Sequence, residues 1–275
     1  LGEAGMGSEA ERLFSQFDQH VPAEWHIARC RNLIRIGAVD QAERRLFDLT
    51  KTKMADVSAW SLLDICWRLK GDARHDWLHG QAGLVQEIAL PLGLQELADV
   101  QQCLLKIHET SAPPVGQSVK SGNQTKGALF ARREPELACL KSALEDILED
   151  YRQGLPKQDQ AHPLLSMREA TWEVTSSWSI RLCGRGKHAP HIHPKGLISS
   201  ACYFEVPAEV SHHGGPGWLD LGVPPINLET GLPALFSFQP KVGSCILFPS
   251  TLFHGTRPIS HGNRMTVAFD VTVAR

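Results

Sequence analysis

After Pro163 the chain changes its hydrophobic period, and that change sets the class of fold. Residues 8–108 space their apolar side chains three and four positions apart, the pattern of amphipathic helices, and contain only Pro22 and Pro91. Beyond Pro163 the apolar residues alternate or bunch into short β-rich runs at 172–182, 197–206, 235–238, 244–248 and 265–273, separated by Gly and Pro clusters. Short strands at such spacing, with no helical pattern between them, argue for an antiparallel sandwich or barrel. The expected class is therefore α+β, helices first and an all-β core second. Residues 110–127, where Ser, Gly, Pro, Asn and Gln replace the apolar pattern, read as a loop or domain boundary. An amphipathic helix follows from 134 or 135 to 151, with Leu137, Leu140, Leu144, Ile147 and Leu148 on one stripe. Pro135 suits its first turn and Gly154 its exit.

Within the helical part, residues 34–40 and 68–73 match at an offset of 34, which is the tetratricopeptide period. A small residue is needed where two antiparallel helices turn, and Gly37 and Gly71 suit that place. An unrelated helix pair sharing a glycine spacing explains the match equally well. Two units fall short of the three or more that usually bury a continuous core, so such an array is short or truncated.

Composition excludes several classes. With 42% hydrophobic residues in 275, the chain is long enough for one large domain or two smaller ones and is not disordered over most of its length. A formal net charge of −2 gives no support to nucleic-acid binding. No apolar run approaches the roughly 18 to 20 residues of a membrane-spanning helix, and residues 1–20 lack a signal-peptide layout, so a cytoplasmic location is expected. The opening Leu1-Gly2-Glu3 suits a fragment or processed form. Seven cysteines without a CxxC pair argue against a disulfide framework or a cysteine zinc site.

Histidine is the informative residue. Three of the 13 lie in His188-Ala189-Pro190-His191-Ile192-His193-Pro194. In an extended segment, side chains at i and i+2 point to one face, so His191 and His193 can reach a single metal ion, and the flanking prolines stiffen the segment. The competing reading is a His-rich exposed turn. His188 stands close by, while His212 and His213, among glycines, read as loop residues. A third ligand is expected from another strand, and His254 follows a turn and buried strand at 242–250. Arg264 and Thr266 come next on one face of the last strand, with Met265, Val267 and Phe269 on the other. A buried arginine there needs an anion, and a guanidinium grips a carboxylate with two hydrogen bonds to which a nearby hydroxyl can add. A surface salt bridge is the alternative for Arg264.

At these residues the C-terminal half resembles the 2-oxoglutarate and Fe(II)-dependent oxygenase superfamily. The resemblance is carried by the HxH-Pro run, the strand at 197–205, the segments 217–222 and 243–249, His254 and the run 264–270, and 117–125 looks like a motif preceding the catalytic core. It covers about residues 95–275, and the His-to-Arg spacing is its most specific part. The resemblance implies a double-stranded β-helix, or jelly roll, over 95–275 behind a helical region at 1–94. It also implies Fe(II) near one open end, with 2-oxoglutarate and O2 as co-substrates. The superfamily pattern is HxD/E plus a distal histidine, forming a two-histidine, one-carboxylate triad. By that register His191 is the first ligand, His254 the distal one, and Arg264 with Thr266 the anchor for 2-oxoglutarate. His193 then stands where a carboxylate usually sits. Three neutral imidazoles would leave the iron its full double charge, which alters its redox tuning. Either His193 is the third ligand, as in related three-histidine dioxygenases, or a carboxylate such as Asp220 completes the set. Tyr203 either bonds the co-substrate or is a core tyrosine.

Three functions are compatible with these residues. The first is a 2-oxoglutarate-dependent hydroxylase of an unidentified protein or small molecule, its helical region able to present a protein substrate. The second is a cupin-like three-histidine dioxygenase without the keto acid, which leaves Arg264 no specific partner. The third is a catalytically silent module whose helices recruit a protein. Substrate specificity is expected in the loops 209–216 and 226–233.

Overall fold

The computed structural model describes residues 1–17, 21–52, 54, 56–111, 119–212 and 214–274. Among them are six α-helices: α1 (Gly7–Gln16), α2 (Ala23–Arg35), α3 (Val39–Thr52), α4 (Val57–Lys70), α5 (Leu94–Glu109) and α6 (Pro135–Gly154). α4 is apolar nearly all round and becomes the centre of a helical cluster, because such a helix must be covered on every side. Asp56 caps its start by accepting from the Ala59 N–H, and Gly71 ends it in the left-handed conformation, φ 65°. Leu33 and Ile34 of α2, Ala42 and Leu46 of α3 and Trp60, Leu63 and Trp67 of α4 form its core.

Nine strands of the described residues form one curled antiparallel sheet: β1 (Gln86–Ala89), β2 (Val119–Gln124), β3 (Trp172–His191), β4 (Ile198–Glu205), β5 (Leu219–Leu221), β6 (Phe236–Phe238), β7 (Ser244–Pro249), β8 (His254–Thr256) and β9 (Asn263–Val273). Their order is β1-β7-β4-β9-β3-β8-β5-β6, with β2 on β3. The non-consecutive neighbours are the crossovers of a jelly roll. Alternation along each strand divides the two faces. Cys202, Phe204, Leu247, Met265, Val267 and Phe269 pack outward against α5 and α6, whereas Ala201, Tyr203, Ile246, Phe248, Leu219 and Leu221 face the interior. Because α6 carries Leu137, Leu140, Leu144 and Ile147 on one stripe, it covers the outer face as its sequence pattern requires.

The structure departs from the sequence reading in three places. β1 lies inside the stretch read as wholly helical. Four residues, Gln-Glu-Ile-Ala, are too few to display an alternating pattern, and their strand character comes from pairing with β7. β2 occupies 119–124 of the expected 110–127 loop, while 112–118 lie outside the described residues. Its pairing with β3 is made by backbone groups, so Ser, Gly and Asn serve without an apolar signal. Gly37 and Gly71 both hold positive φ at helix exits, but Gly71 leads into a five-residue π-helical turn and then β1, not into a second long helix. The 34-residue offset therefore marks two helix exits.

The helical cluster docks on the sheet at the segments that carry the histidines. Ile192 and Phe253 pack with it, as does Leu228. Polar ties accompany this contact: Ser61 Oγ donates to the Thr251 carbonyl at 2.6 Å, and His79 bridges Asp64 (3.0 Å) to the Thr251 hydroxyl (2.9 Å). Arg35 Nε donates to the Asn227 carbonyl at 2.6 Å. Among the described residues no helix is long and apolar enough to cross a membrane.

One buried histidine of this scaffold makes its stability pH-dependent. His162 accepts at Nδ1 from the Leu164 and Leu165 N–H groups, both at 3.1 Å, and donates at Nε2 to the Leu78 carbonyl at 3.0 Å. Burial pulls its pKa down to about 4, opposed by the Leu78 bond. A folded pKa below the unfolded value means that the stabilisation is complete above about pH 6.5 and is lost as pH falls toward 4. That loss is expected to reach about 3 kcal/mol at most, from 1.36 kcal/mol per pH unit. Thermal melts of wild type and His162→Gln between pH 7 and 4.5 check it: the variant should start lower and decline less steeply. Parallel declines would remove His162 as a cause.

Candidate metal and co-substrate site

Strand pairing assembles the histidines. β3 runs to His191, which stands opposite His254 at the start of β8, and His188 stands opposite Thr256. His193 follows two residues beyond the end of β3. One donor atom from each of His191, His193 and His254 lies within 4.8 Å of the others, the only such group of His, Cys, Asp and Glu donors among the described residues. Their rings are 4.3 to 5.1 Å apart.

Each imidazole has its Nδ1 occupied by an acceptor. His191 Nδ1–H donates to the Ala189 carbonyl at 2.9 Å, His254 Nδ1–H to the Leu252 carbonyl at 3.1 Å, and His193 Nδ1–H to Asp270 Oδ1 at 2.5 Å. Carbonyls and carboxylates only accept, so the protons reside on Nδ1 and the Nε2 lone pairs are free. His191 Nε2 and His193 Nε2 are 3.2 Å apart. Two lone pairs at that separation repel unless a proton or a metal ion lies between them. Burial, and next the neighbouring His193, pull the His191 pKa down to about 4; burial drives that of His254 well below the ordinary range. Neutral imidazole is the metal-binding form, so the donor set fits a divalent transition ion. Trp178 packs edge-on against His193 at 5.2 Å and Phe248 against His254 at 4.9 Å, an apolar wall around the group.

Arg264 and Thr266 share the inner face of β9. Arg264 is 3% exposed and Thr266 4%. Arg264 Nη1 donates to Thr266 Oγ1 at 3.4 Å, and the guanidinium lies over the Tyr203 ring, 5.0 Å from its centroid. No carboxylate pairs with Arg264 among the described residues, and its Nε and the Tyr203 hydroxyl are buried with no hydrogen-bond partner. Burial lowers the Arg264 pKa and pushes that of Tyr203 up to about 12, with the arginine charge opposing the latter. A buried cation without an anion costs several kcal/mol, a cost that an anion at this corner would offset.

Sequence reasoning singled out His191, His193, His254, Arg264, Thr266 and Tyr203, and the fold brings all six to the interior. Asp220 is elsewhere. It pairs with Arg257 at 2.8 Å through both oxygens and accepts from Ser237, on the face of β5 opposite the buried Leu219 and Leu221. The segment 226–233, expected as a specificity loop, is tied to the helices by Leu228 and Asn227. In the other loop, 209–216, Glu209 accepts from the Ser260 and His261 N–H groups, and His213 lies outside the described residues. Asp270 was missed, although the period of two that links Arg264 to Thr266 reaches it after two more steps.

Residues 176–270 match the family described as "Putative 2OG-Fe(II) oxygenase", and every residue of the site lies within that span. No curated protein sequence matches the chain. Among solved structures, HygX from Streptomyces hygroscopicus with nickel and 2-oxoglutarate bound is similar at 13% identity, over 73% of this chain and 85% of that one, with a TM-score of 0.50. A Trichoplax adhaerens prolyl hydroxylase in complex with a hypoxia inducible factor peptide fragment is 15% identical over 74% and 92%, TM-score 0.49. A Pseudomonas putida prolyl-4-hydroxylase is 12% identical over 75% and 100%, TM-score 0.49. The likeness to HygX concerns the fold, the jelly roll expected from the sequence. Over residues 176–270, about a third of the chain, the protein is thus similar to 2OG-Fe(II) oxygenases, a family of oxidoreductases.

Proposed function

We propose that the protein is a hydroxylase that uses Fe(II), 2-oxoglutarate and O2, with His191, His193 and His254 holding the metal. Arg264 binds the distal carboxylate of 2-oxoglutarate, assisted by the hydroxyls of Thr266 and Tyr203. The observation that carries this reading is the buried guanidinium, with Nε unsatisfied and no carboxylate partner among the described residues, on the same interior surface as three convergent imidazoles. Bound iron would supply the oxidising chemistry, consuming O2 and the keto acid. The chain's own part is orientation and exclusion of water. The Ala189 and Leu252 carbonyls and Asp270 hold the three rings in the tautomer that presents Nε2. Thr266 Oγ1 accepts from Arg264, which leaves its own proton to donate to a carboxylate. Trp178 and Phe248 keep the surroundings dry, which strengthens each charged contact. The substrate is a protein or a small molecule. We propose the helical region as its platform, since its core reaches both histidine-bearing segments through Ile192 and Phe253.

A three-histidine dioxygenase that needs no keto acid is favoured by one observation, the histidine where the superfamily usually places a carboxylate. It leaves the Arg264 corner without a ligand. Anaerobic titration of the Fe(II)-loaded protein with 2-oxoglutarate separates the two. A weak visible charge-transfer band, together with O2 uptake that requires the keto acid, is expected. Iron binding without the band, and O2 uptake without the keto acid, would transfer the assignment to the second reading.

A further inference from the structure

Three imidazoles bring no negative charge to a dication, yet a carboxylate stands one hydrogen bond behind one of them. Asp270 shares the inner face of β9 with Arg264 and Thr266 and is the cross-strand partner of Ser199 on β4. Its Oδ1 lies 2.5 Å from His193 Nδ1, and both side chains are 14% exposed. Ser199 Oγ sits 3.2 Å from the same Nδ1 and 3.4 Å from the same Oδ1, and is held by Ser250 Oγ at 2.8 Å. Gly196 leaves room for this cluster: a Cβ there would stand 2.6 Å from Ser250 Oγ and 3.5 Å from Asp270 Oδ1. His191 and His254 bond neutral backbone carbonyls through Nδ1, so among the three rings His193 alone has a charged partner.

We infer that Asp270 is the positioning residue of the metal site. It accepts the Nδ1 proton of His193, fixes Nε2 as the donor atom, and carries beside the ligand set the negative charge that the HxH sequence leaves out of it. This inference rests on the metal reading above. The physical basis is general: a carboxylate hydrogen-bonded to the far nitrogen of a ligating imidazole orients the ring and raises its donor strength, and losing it typically weakens metal binding by about 10- to 100-fold. The arrangement also answers the electrostatic objection to a histidine at the carboxylate position. Charge that usually touches the metal is moved one imidazole away, so His193 and Asp270 act together as an anionic ligand.

The test is Asp270→Asn, which keeps the size and an acceptor oxygen but removes the charge. Ni(II) serves as the affinity probe because it is insensitive to oxygen and binds nitrogen sites more tightly than Fe(II). Equilibrium titration should give a dissociation constant about 10- to 100-fold higher than wild type, while the metal-free variant melts within a few degrees of wild type. In a His193→Ala background the same substitution should add no further loss, since Asp270 acts through His193. On the Fe(II) protein with 2-oxoglutarate, the charge-transfer band should move to shorter wavelength, because a weaker donor lowers the metal orbitals from which the electron leaves. Wild-type Ni(II) affinity with an unmoved band, or an equal loss in the His193→Ala background, would overturn the inference. Should Asp270→Asn fail to fold, Asp270→Ser serves the same titration. Failure of the metal reading is distinguishable, since His191→Ala would then also bind Ni(II) like wild type.

Discussion

Replacing His254 with alanine is expected to abolish stoichiometric Fe(II) binding. His254 is 6% exposed, enters from β8, and is the one candidate ligand supplied from outside the 191–193 segment. Without it, two imidazoles from a single segment remain, and metal affinity should fall by well over a hundredfold, because a transition ion held by three protein donors loses one bond and the dry wall that Phe248 provides through it. The loss can be read without activity. A metal at a hundred times its dissociation constant stabilises the native state by about 2.7 kcal/mol, which raises the melting temperature measurably. Wild type should show that rise on adding Fe(II) anaerobically, and the variant none. Truncation also leaves the Leu252 carbonyl without its donor, costing about 1 to 3 kcal/mol in the metal-free protein, so each variant is compared with its own chelated form. An undiminished metal-induced rise would remove His254 from the ligand set.

Arg264→Met is expected to separate the co-substrate from the metal. The substitution keeps an unbranched chain of similar reach but removes the guanidinium. Two charge-assisted hydrogen bonds to a carboxylate, each contributing about 1.5 to 3 kcal/mol, imply a dissociation constant for 2-oxoglutarate raised by roughly 10² to 10⁴. Fe(II) binding should be unchanged, since Arg264 makes no contact with the three imidazoles among the hydrogen bonds of the described residues. The signature that an ordinary salt bridge would not give is in stability. Because the native guanidinium is buried with Nε unpaired, its removal should leave the protein free of keto acid as stable as wild type or more so, while abolishing the stabilisation that 2-oxoglutarate confers. A variant that melts several degrees lower and still responds to 2-oxoglutarate would refute the anchor assignment.

Local sequence determined much of this site. The HxH run in an extended segment makes two imidazoles face one way whatever the rest of the chain does, and period two puts Arg264 and Thr266 together. The change of apolar period near Pro163 separates helices from strands, and the stripe on α6 is a property of those residues alone. The tertiary structure decided which strands are neighbours, and with it everything that depends on pairing. β1 and β2 carry no signal of their own; they are strands because β7 and β3 offer them free backbone groups. His254 meets His191 only through the β3–β8 register. The choice between carboxylates is of the same kind. Asp220 adjoins the strand of His254 in space but faces Arg257, whereas Asp270, 77 residues from His193 along the chain, faces the ring. A one-residue slip would reverse either side chain, and register is fixed by long-range hydrogen bonds and by which face the core buries, neither of which a local pattern encodes. The residues between the ligands followed the same rule: Ile192 and Phe253 alternate with the histidines, and the helical cluster that receives them exists only once α2, α3 and α4 have packed.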